Sequence, residues 1–398
     1  MMDRLLAVTN QLLDLGKRNR LLNYKDQGMK TLAILNKNVE EIFRGVKGGR
    51  DVNIFDTDKA LSEFHNENHP NDDNDNTLAY EFDQVYSIAR KLLDRRQILC
   101  YKKGYTMQKT LKSLYKEFTS SLKEKGMNSL YISFGFIHYK EEEEEFVAPL
   151  LLIPIELDPD SGDYYQIRQY EDDIMVNPTF NYYLNSLFHV NIPRYEDEAY
   201  STYLDKVKEI LPESMWFEDA CAIGIYSFYK MSMYTDIMGN KGKVLSNNNI
   251  RILLGDESAK SLQTQEDQEI YPVVNCDSSQ LGAIQMAANG KSFCLQGPPG
   301  SGKSQTITNI IASLLGQGKK VLFVSEKISA LNVVFDNLRR VKLSDFAIEL
   351  HSNKANKLEF ISNLYDTAVA PKYDMDLRTT FLDAKYNLLK GNLSTYDI

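Results

Sequence analysis

Apolar residues near the start of the chain fall at helical spacing: Leu5, Leu6, Leu12, Leu13 and Leu15 form one stripe, and Lys17, Arg18 and Arg20 crowd its end, where cations suit the helix dipole. The spacing predicts a helix over residues 3–22. Amphipathic runs at 82–99 and 110–125 read as two further helices, the second stopped by Gly126. The period then shortens. Residues 129–139 (SLYISFGFIHY), 146–157 (FVAPLLLIPIEL) and 164–170 (YYQIRQY) read as strands, and the middle one is apolar enough to be buried on both faces. This strand-rich stretch is compatible with a small barrel. Helical spacing returns over 180–187 and 198–211. Residues 216–237 then combine a short strand with an aromatic helix and carry the only tryptophan, Trp216. Aromatics at that spacing suit core packing first and base stacking second.

Polar segments punctuate these elements. Residues 65–76 (HNENHPNDDNDN) read as a loop; His65 and His69 stand four apart, but Pro70 and the Asn/Asp run favour a loop over a metal-binding helix. The acidic run 141–145 between two strands reads as an exposed hairpin loop, and 240–249 as a surface loop. Residues 255–269 are polar and poor in apolar side chains, which places a domain boundary near residue 260. An N-terminal accessory domain (1–260) is thus expected ahead of a second domain (261–398).

The second domain opens on a strand over 292–295, a loop, a helix over 303–315 and a strand over 321–324, the order that a parallel sheet with a right-handed crossover requires. The loop fits GxxxxGK[ST], with Gly297, Gly302, Lys303 and Ser304 at the fixed positions. Glycines let consecutive backbone N–H groups face one concavity, and a helix N-terminus adds partial positive charge, so a polyphosphate is held largely by backbone. Lys303 is placed to reach the terminal phosphates and the Ser304 hydroxyl to ligate Mg²⁺. Upstream, Asp277 or Ser278 caps a helix running to about 288 and puts Gln280 in its first turn. A Gln amide donates and accepts at once, as an adenine edge demands.

Composition then bounds the function. With 398 residues, 43% hydrophobic and 25% charged, the chain can build two or three cores. A formal charge of -9 argues, as an average, against a protein that coats nucleic acid or membrane. The average is misleading, because residues 141–173 hold twelve acidic residues and one basic, whereas 291–342 hold eight basic and two acidic. Cys100, Cys221, Cys276 and Cys294 are scattered without a CxxC pair, so neither a disulfide framework nor a zinc ribbon is indicated, and a reducing compartment is expected. The N-terminus lacks the features of a signal peptide, and no run approaches the ~20 apolar residues that span a bilayer. A cytoplasmic protein with no membrane contact is the expectation.

The stretches 278–280 (SSQ), 295–306 (LQGPPGSGKSQT) and 321–334 (VLFVSEKISALNVV) resemble the superfamily 1 helicases, in the branch that includes the RNA-surveillance helicases. That resemblance implies that Gln280 contacts adenine, that Gly300, Ser301, Gly302, Lys303, Ser304 and Gln305 cradle the triphosphate, and that Ser325, Glu326 and Lys327 occupy the nucleic-acid-contacting position. Ser-Glu-Lys departs from the commoner wording there, which makes Lys327 a better contact than Glu326. The stretches 12–24 (LLDLGKRNRLLNY), 147–157 (VAPLLLIPIEL), 176–180 (VNPTF), 228–237 (FYKMSMYTDI) and 346–357 (FAIELHSNKANK) are similar to a large bacterial helicase family that carries an N-terminal domain of unknown function ahead of the motor. Some of its members belong to anti-phage or restriction-like loci.

The resemblance implies an α/β chain: a mixed α+β N-terminal domain followed by a partial, RecA-like P-loop domain with a parallel sheet. It also implies an ATP-dependent helicase or translocase that uses ATP and Mg²⁺ and takes DNA or RNA, in single-stranded form. The strands ending at Glu326 and Glu349 are not followed by the Asp-Glu pair of the family, and no second motor domain fits after residue 358. The expectation is therefore the N-terminal part of a longer motor, which binds nucleotide and turns it over poorly until the remainder or a partner chain is supplied. The alternative is an ATP-binding regulatory or scaffold protein with an incomplete P-loop domain.

Overall fold

The computed structural model describes residues 1–36, 38–68, 82–94, 96–159, 165–170, 173–256, 268–350 and 357–369. They fall into two compact units, 1–337 and 338–398. The first carries the sheet and the phosphate loop; in the second, the described part ends with a helix at Lys357–Val369. The expected domain boundary near residue 260 lies outside the described residues.

The apolar run that the sequence places at 146–157 becomes the centre of the sheet. Its strands are β1 (Thr31–Ala33), β2 (Val52–Phe55), β3 (Gln97–Leu99), β4 (Leu130–Glu141), β5 (Glu144–Asp158), β6 (Tyr165–Gln169), β7 (Met175–Val176) and β8 (Trp216–Ile225), in the spatial order β1-β8-β4-β5-β6-β2-β3 with β7 alongside β5. All pairings are antiparallel except β2 with β3. The two edges meet through a bridge between Ile34 and Cys100, so the sheet curls back on itself as the small-barrel reading allowed. Leu150, Leu151, Leu152 and Ile153 of β5 are fully buried, the signature of a strand covered on both faces.

One face of β4 sends Ile132, Phe134, Ile137 and Tyr139 into the main core, with the helices Val39–Lys47 and Gly104–Lys125 contributing Phe43, Met107, Leu111 and Leu114. The step from 134 to 137 breaks simple alternation because a bulge falls between Phe134 and Phe136. Gly135 sits there at φ +70°, and a Cβ on it would overlap the Phe217 ring. The opposite face packs Tyr131 and Leu152 against Leu21, Tyr226 and Phe228.

The acidic run forms the hairpin joining β4 to β5, turning at Glu142 (φ +56°). Three of its carboxylates are engaged: Glu141 accepts from the Tyr183 hydroxyl at 3.1 Å, Glu144 pairs with Lys17 at 2.5 Å, and Glu145 Oε1 lies 3.0 Å from His138 Nδ1. Glu218 takes the other ring nitrogen at 2.8 Å, while Trp216, half exposed, stacks on the same imidazole. Trp216 is thus the outer cover of a His138 clamp rather than a core residue.

Several boundaries differ from the expectation. The first helix stops at Thr9, followed by a 3-10 turn at Asn10–Leu12, so Arg18 and Arg20 lie in a loop. Asn19 is the reason: its amide donates to Asp14 O at 2.6 Å and its Oδ1 accepts from Leu21 N at 3.0 Å, a local arrangement that outcompetes helix. The run 82–99 divides into the helix Phe82–Asp94 and β3, and the expected loop at 240–249 contains the short helices Lys241–Ser246 and Asn248–Leu253. His65 belongs to the helix Thr57–Asn68, and His69 lies outside the described residues. All four cysteines are free, and among the described residues no helix is long and apolar enough to cross a membrane.

The loop 12–24 is fastened by Asn177, which is fully buried. Its Nδ2 donates to Leu21 O (2.6 Å) and Pro149 O (2.7 Å), and its Oδ1 accepts from Thr179 N and Phe180 N as the cap of the helix Pro178–Phe188. Replacing it with alanine removes a cap and leaves two carbonyls without partners. Asn177→Ala is expected to cost about 2–4 kcal/mol, read as a lowered urea midpoint by circular dichroism. A midpoint unchanged from wild type would show that the loop is held by other contacts.

Candidate nucleotide-binding site

The site is built on two neighbouring helices, Ser278–Ala288 and Lys303–Gly316, which pack against each other. The first begins in a capping box: Asp277 Oδ1 accepts from Gln280 N at 2.8 Å, and Gln280 Oε1 accepts from Asp277 N at 3.0 Å. The Ser279 hydroxyl and the Gln280 N–H hold the Asp277 carboxyl below its ordinary value. The cap therefore contributes fully above the ordinary carboxylate range and is lost as pH falls through that depressed value.

The second helix follows the phosphate loop directly. Gly300 (φ +84°) and Gly302 (φ +76°) take left-handed conformations, and Gly302 is the helix N-cap. This turns the first-turn N–H groups of the helix, which have no intrahelical acceptor, toward the concavity. Gln280 closes the loop from the side, its Nε2 donating to Ser301 O at 3.2 Å, and a Cβ on Gly302 would overlap that nitrogen. Ser301 Oγ donates to Pro298 O at 2.9 Å, and a Cβ on Gly297 would overlap the same hydroxyl.

Lys303 folds back over the loop. Its Nζ donates to Gly297 O and, at 2.7 Å, to Pro298 O, with Ser301 Oγ at 3.5 Å. These are neutral acceptors, and an anionic phosphate oxygen is a stronger one. Glycines that leave no side chain over the loop, a helix N-terminus and an ammonium that, among the described residues, meets no carboxylate together fit a polyphosphate. Ser304 stands in the first turn of the helix and Gln305 beside Gly302.

Sequence reasoning missed what steadies this helix. Asn309 is fully buried; its Oδ1 accepts from Val273 N (2.8 Å) and Val274 N (3.0 Å), and its Nδ2 donates to Val274 O (3.0 Å). Ser313 accepts from Tyr271 N at 3.0 Å, so the irregular segment before Asp277 is strapped along the helix. The available signal was polar residues, Thr308, Asn309 and Ser313, on either side of an apolar helical run in TNIIAS.

Two expectations are not met in this form. Residues 292–295 and 321–324 form neither helix nor strand, and the strands among the described residues all belong to the curled N-terminal sheet. The physical reason is that two short segments cannot form a buried parallel sheet by themselves. Their side chains remain uncovered, with Leu322 80% and Val324 76% exposed. Ser325, Glu326 and Lys327 lie just before the helix Ile328–Arg340, with Ser325 Oγ accepting from Lys327 N at 3.3 Å. Among the described residues, none of the three bonds to the phosphate loop.

Comparison with known proteins follows this division of the chain. Residues 11–184 match a family described as protein of unknown function (DUF4011), and residues 275–357 match an AAA domain. The chain is thus similar to a DUF4011 domain over its first part and to an AAA domain over the segment that holds the phosphate loop. It is 27% identical to the uncharacterized ATP-dependent helicase MG140 of Mycoplasma genitalium, an alignment that covers 70% of this chain and 28% of that protein. A homolog of MG140 in Mycoplasma pneumoniae is also 27% identical, over 65% of this chain and 26% of its own length. The chain thus spans less than a third of the length of these curated relatives. No solved structure matches it.

Gly302→Ala places a side chain against Gln280 at a φ that L-residues avoid. A strain of about 1–3 kcal/mol, concentrated in the loop, is expected to weaken binding of a fluorescent ATP analogue about tenfold or more while leaving the thermal midpoint close to wild type. Unaltered affinity would mean that this loop does not hold the nucleotide.

Proposed function

We propose that this chain is the N-terminal part of an ATP-dependent nucleic-acid helicase or translocase, with ATP and Mg²⁺ bound at the phosphate loop. One observation carries the reading: the left-handed glycines at 300 and 302 lead straight into a helix N-terminus, over which Lys303 is held, among the described residues, by neutral acceptors. The comparisons support it through the AAA domain at 275–357 and the helicase relatives.

In this reading the backbone N–H groups of 300–304 hold the β- and γ-phosphates, and Lys303 exchanges its carbonyl acceptors for phosphate oxygens. The Ser304 hydroxyl would be the Mg²⁺ ligand from this chain, and the ion would supply charge neutralisation to the phosphates. Gln280 commits one amide hydrogen to Ser301 O and one lone pair to Asp277 N, which leaves its second N–H and second lone pair for adenine, so base recognition and closure of the loop share one amide. Gln305 lies at the rim of the same cradle. Ser325 and Lys327 contact the backbone of a single strand of DNA or RNA, and the uncovered segments 292–295 and 321–324 join a parallel, RecA-like sheet completed by the longer protein. A cytoplasmic setting and a role in anti-phage defence go with this reading.

Efficient turnover asks for an acidic residue that orients water and for an arginine from a second motor domain, the latter worth about a thousandfold or more. Among the described residues, no cluster of His, Cys, Asp and Glu gathers near the loop. The uncovered apolar segments 292–295 and 321–324 favour a second reading, a regulatory or scaffold protein that binds ATP without mechanical work. A strand-stimulated ATPase assay separates the two. The chain alone is expected to bind ATP with slow turnover and to bind single-stranded nucleic acid, and Lys303→Ala to abolish nucleotide binding. Absence of strand binding would favour the scaffold, and nucleotide binding that survives Lys303→Ala would sink the phosphate-loop assignment.

A further inference from the structure

The loop 12–24 lines a cleft of about 390 Å³ in the N-terminal domain, outside the nucleotide site. Arg18 and Arg20 reach it from this loop, Lys125 from the end of the helix Gly104–Lys125, and Lys230 from the helix Tyr229–Gly239. Against these four cations stands one carboxylate in the lining, Asp14. Among the described residues, none of the four cations is ion-paired. Arg20 donates to Ile225 O at 3.3 Å, and Lys125 lies 5.2 Å from the ring centroid of Tyr229.

Other cations of this domain are treated differently. Lys17, Lys30, Lys47, Lys102, Lys103 and Arg168 each meet a carboxylate. Four unneutralised cations around one concavity repel each other across less than a few screening lengths, an arrangement that an anion relieves. The loop is also rigid before any ligand arrives: Asn19, Asn23 and Asn177 bind its carbonyls and amides from three sides. Arg18 and Arg20 therefore project from a fixed main chain, which lowers the ordering cost of binding.

We propose that this cleft binds the sugar–phosphate backbone of a single-stranded nucleic acid, making the N-terminal domain a second strand-holding surface. Separate cations suit successive phosphates, and the partly exposed Tyr229 ring offers a face on which a base can stack. The Ser227 hydroxyl adds a neutral donor in the same lining. The choice of a nucleic-acid strand as the anion rests on the motor reading above; the cleft itself rests on its own charges.

The test uses the whole chain, labelled oligothymidylate and oligouridylate, and anisotropy over a salt series. Arg18→Glu with Lys230→Glu is expected to weaken strand binding about tenfold at ~0.1 M salt and to flatten the log–log salt slope by roughly 1.4, or about 0.7 for each phosphate contact removed. Binding of a fluorescent ATP analogue should not change. Lys303→Ala should do the reverse, losing nucleotide and keeping the strand slope, so failure at one site is read separately from failure at the other. If the double variant does not fold, Lys230→Gln alone, at an exposed side chain, should still flatten the slope by about 0.7. Unchanged affinity and slope would overturn the proposal. So would displacement of the strand by low-millimolar inorganic phosphate, which would identify a small-anion pocket instead.

Discussion

A primary amide buried without partners costs several kcal/mol, and the same amide with every bond made can fix three pieces of chain at once. Asn177 is such a group. It joins the loop 12–24, the middle of β5 and the start of the helix Pro178–Phe188. The loop has few apolar anchors of its own, with Leu21 and Leu22 as its buried side chains. Without Asn177 the segment would be an ordinary frayed helix end; with it, the cations at 18 and 20 have a defined position relative to Lys125 and Lys230.

The phosphate-loop half repeats this logic with different residues. Asn309 holds the extended segment at 273–274 to the helix Lys303–Gly316, as Asn177 holds the loop to β5. In both places irregular backbone runs beside regular structure, and a buried amide supplies the bonds that a strand partner would otherwise give. The division of labour is chemical. Apolar side chains supply the bulk of the core, whereas the positions of the groups that face a ligand are set by a few fully satisfied polar residues.

That distinction explains what could be read in the sequence. The hairpin of β4 and β5 was legible because its period and its acidic turn agree, and the helix from Lys303 was legible because GxxxxGK[ST] is a statement about backbone geometry. The capping box was half legible: Asp277 as cap, Gln280 in the first turn, but not the bond from Gln280 to Ser301 O that takes one of its amide hydrogens. The helix expected over 3–22 failed because leucines at helical spacing say nothing of Asn19 competing for the same carbonyls. The strands expected at 292–295 and 321–324 lack their ladders because strand pairing is a property of neighbours, and apolar runs do not carry their neighbours with them. The cleft escaped notice since its cations come from positions 18, 20, 125 and 230, which no local window contains.

The pairing of β1 with β8 joins Thr31 to Gly224 and Ala33 to Ala222. During synthesis, the first strand therefore waits for almost two hundred residues before β8, its ladder partner among the described strands, exists. The bridge from Ile34 to Cys100 offers it an earlier, much weaker hold. A sheet of such long-range pairings is slow to close and leaves strand edges open in the meantime. The helix pair from Ser278 to Gly316 is local by comparison and can form as soon as it is made. The curled sheet, although its strands come first in the chain, is bound to finish late, and the nascent segments that follow it emerge beside a sheet still closing.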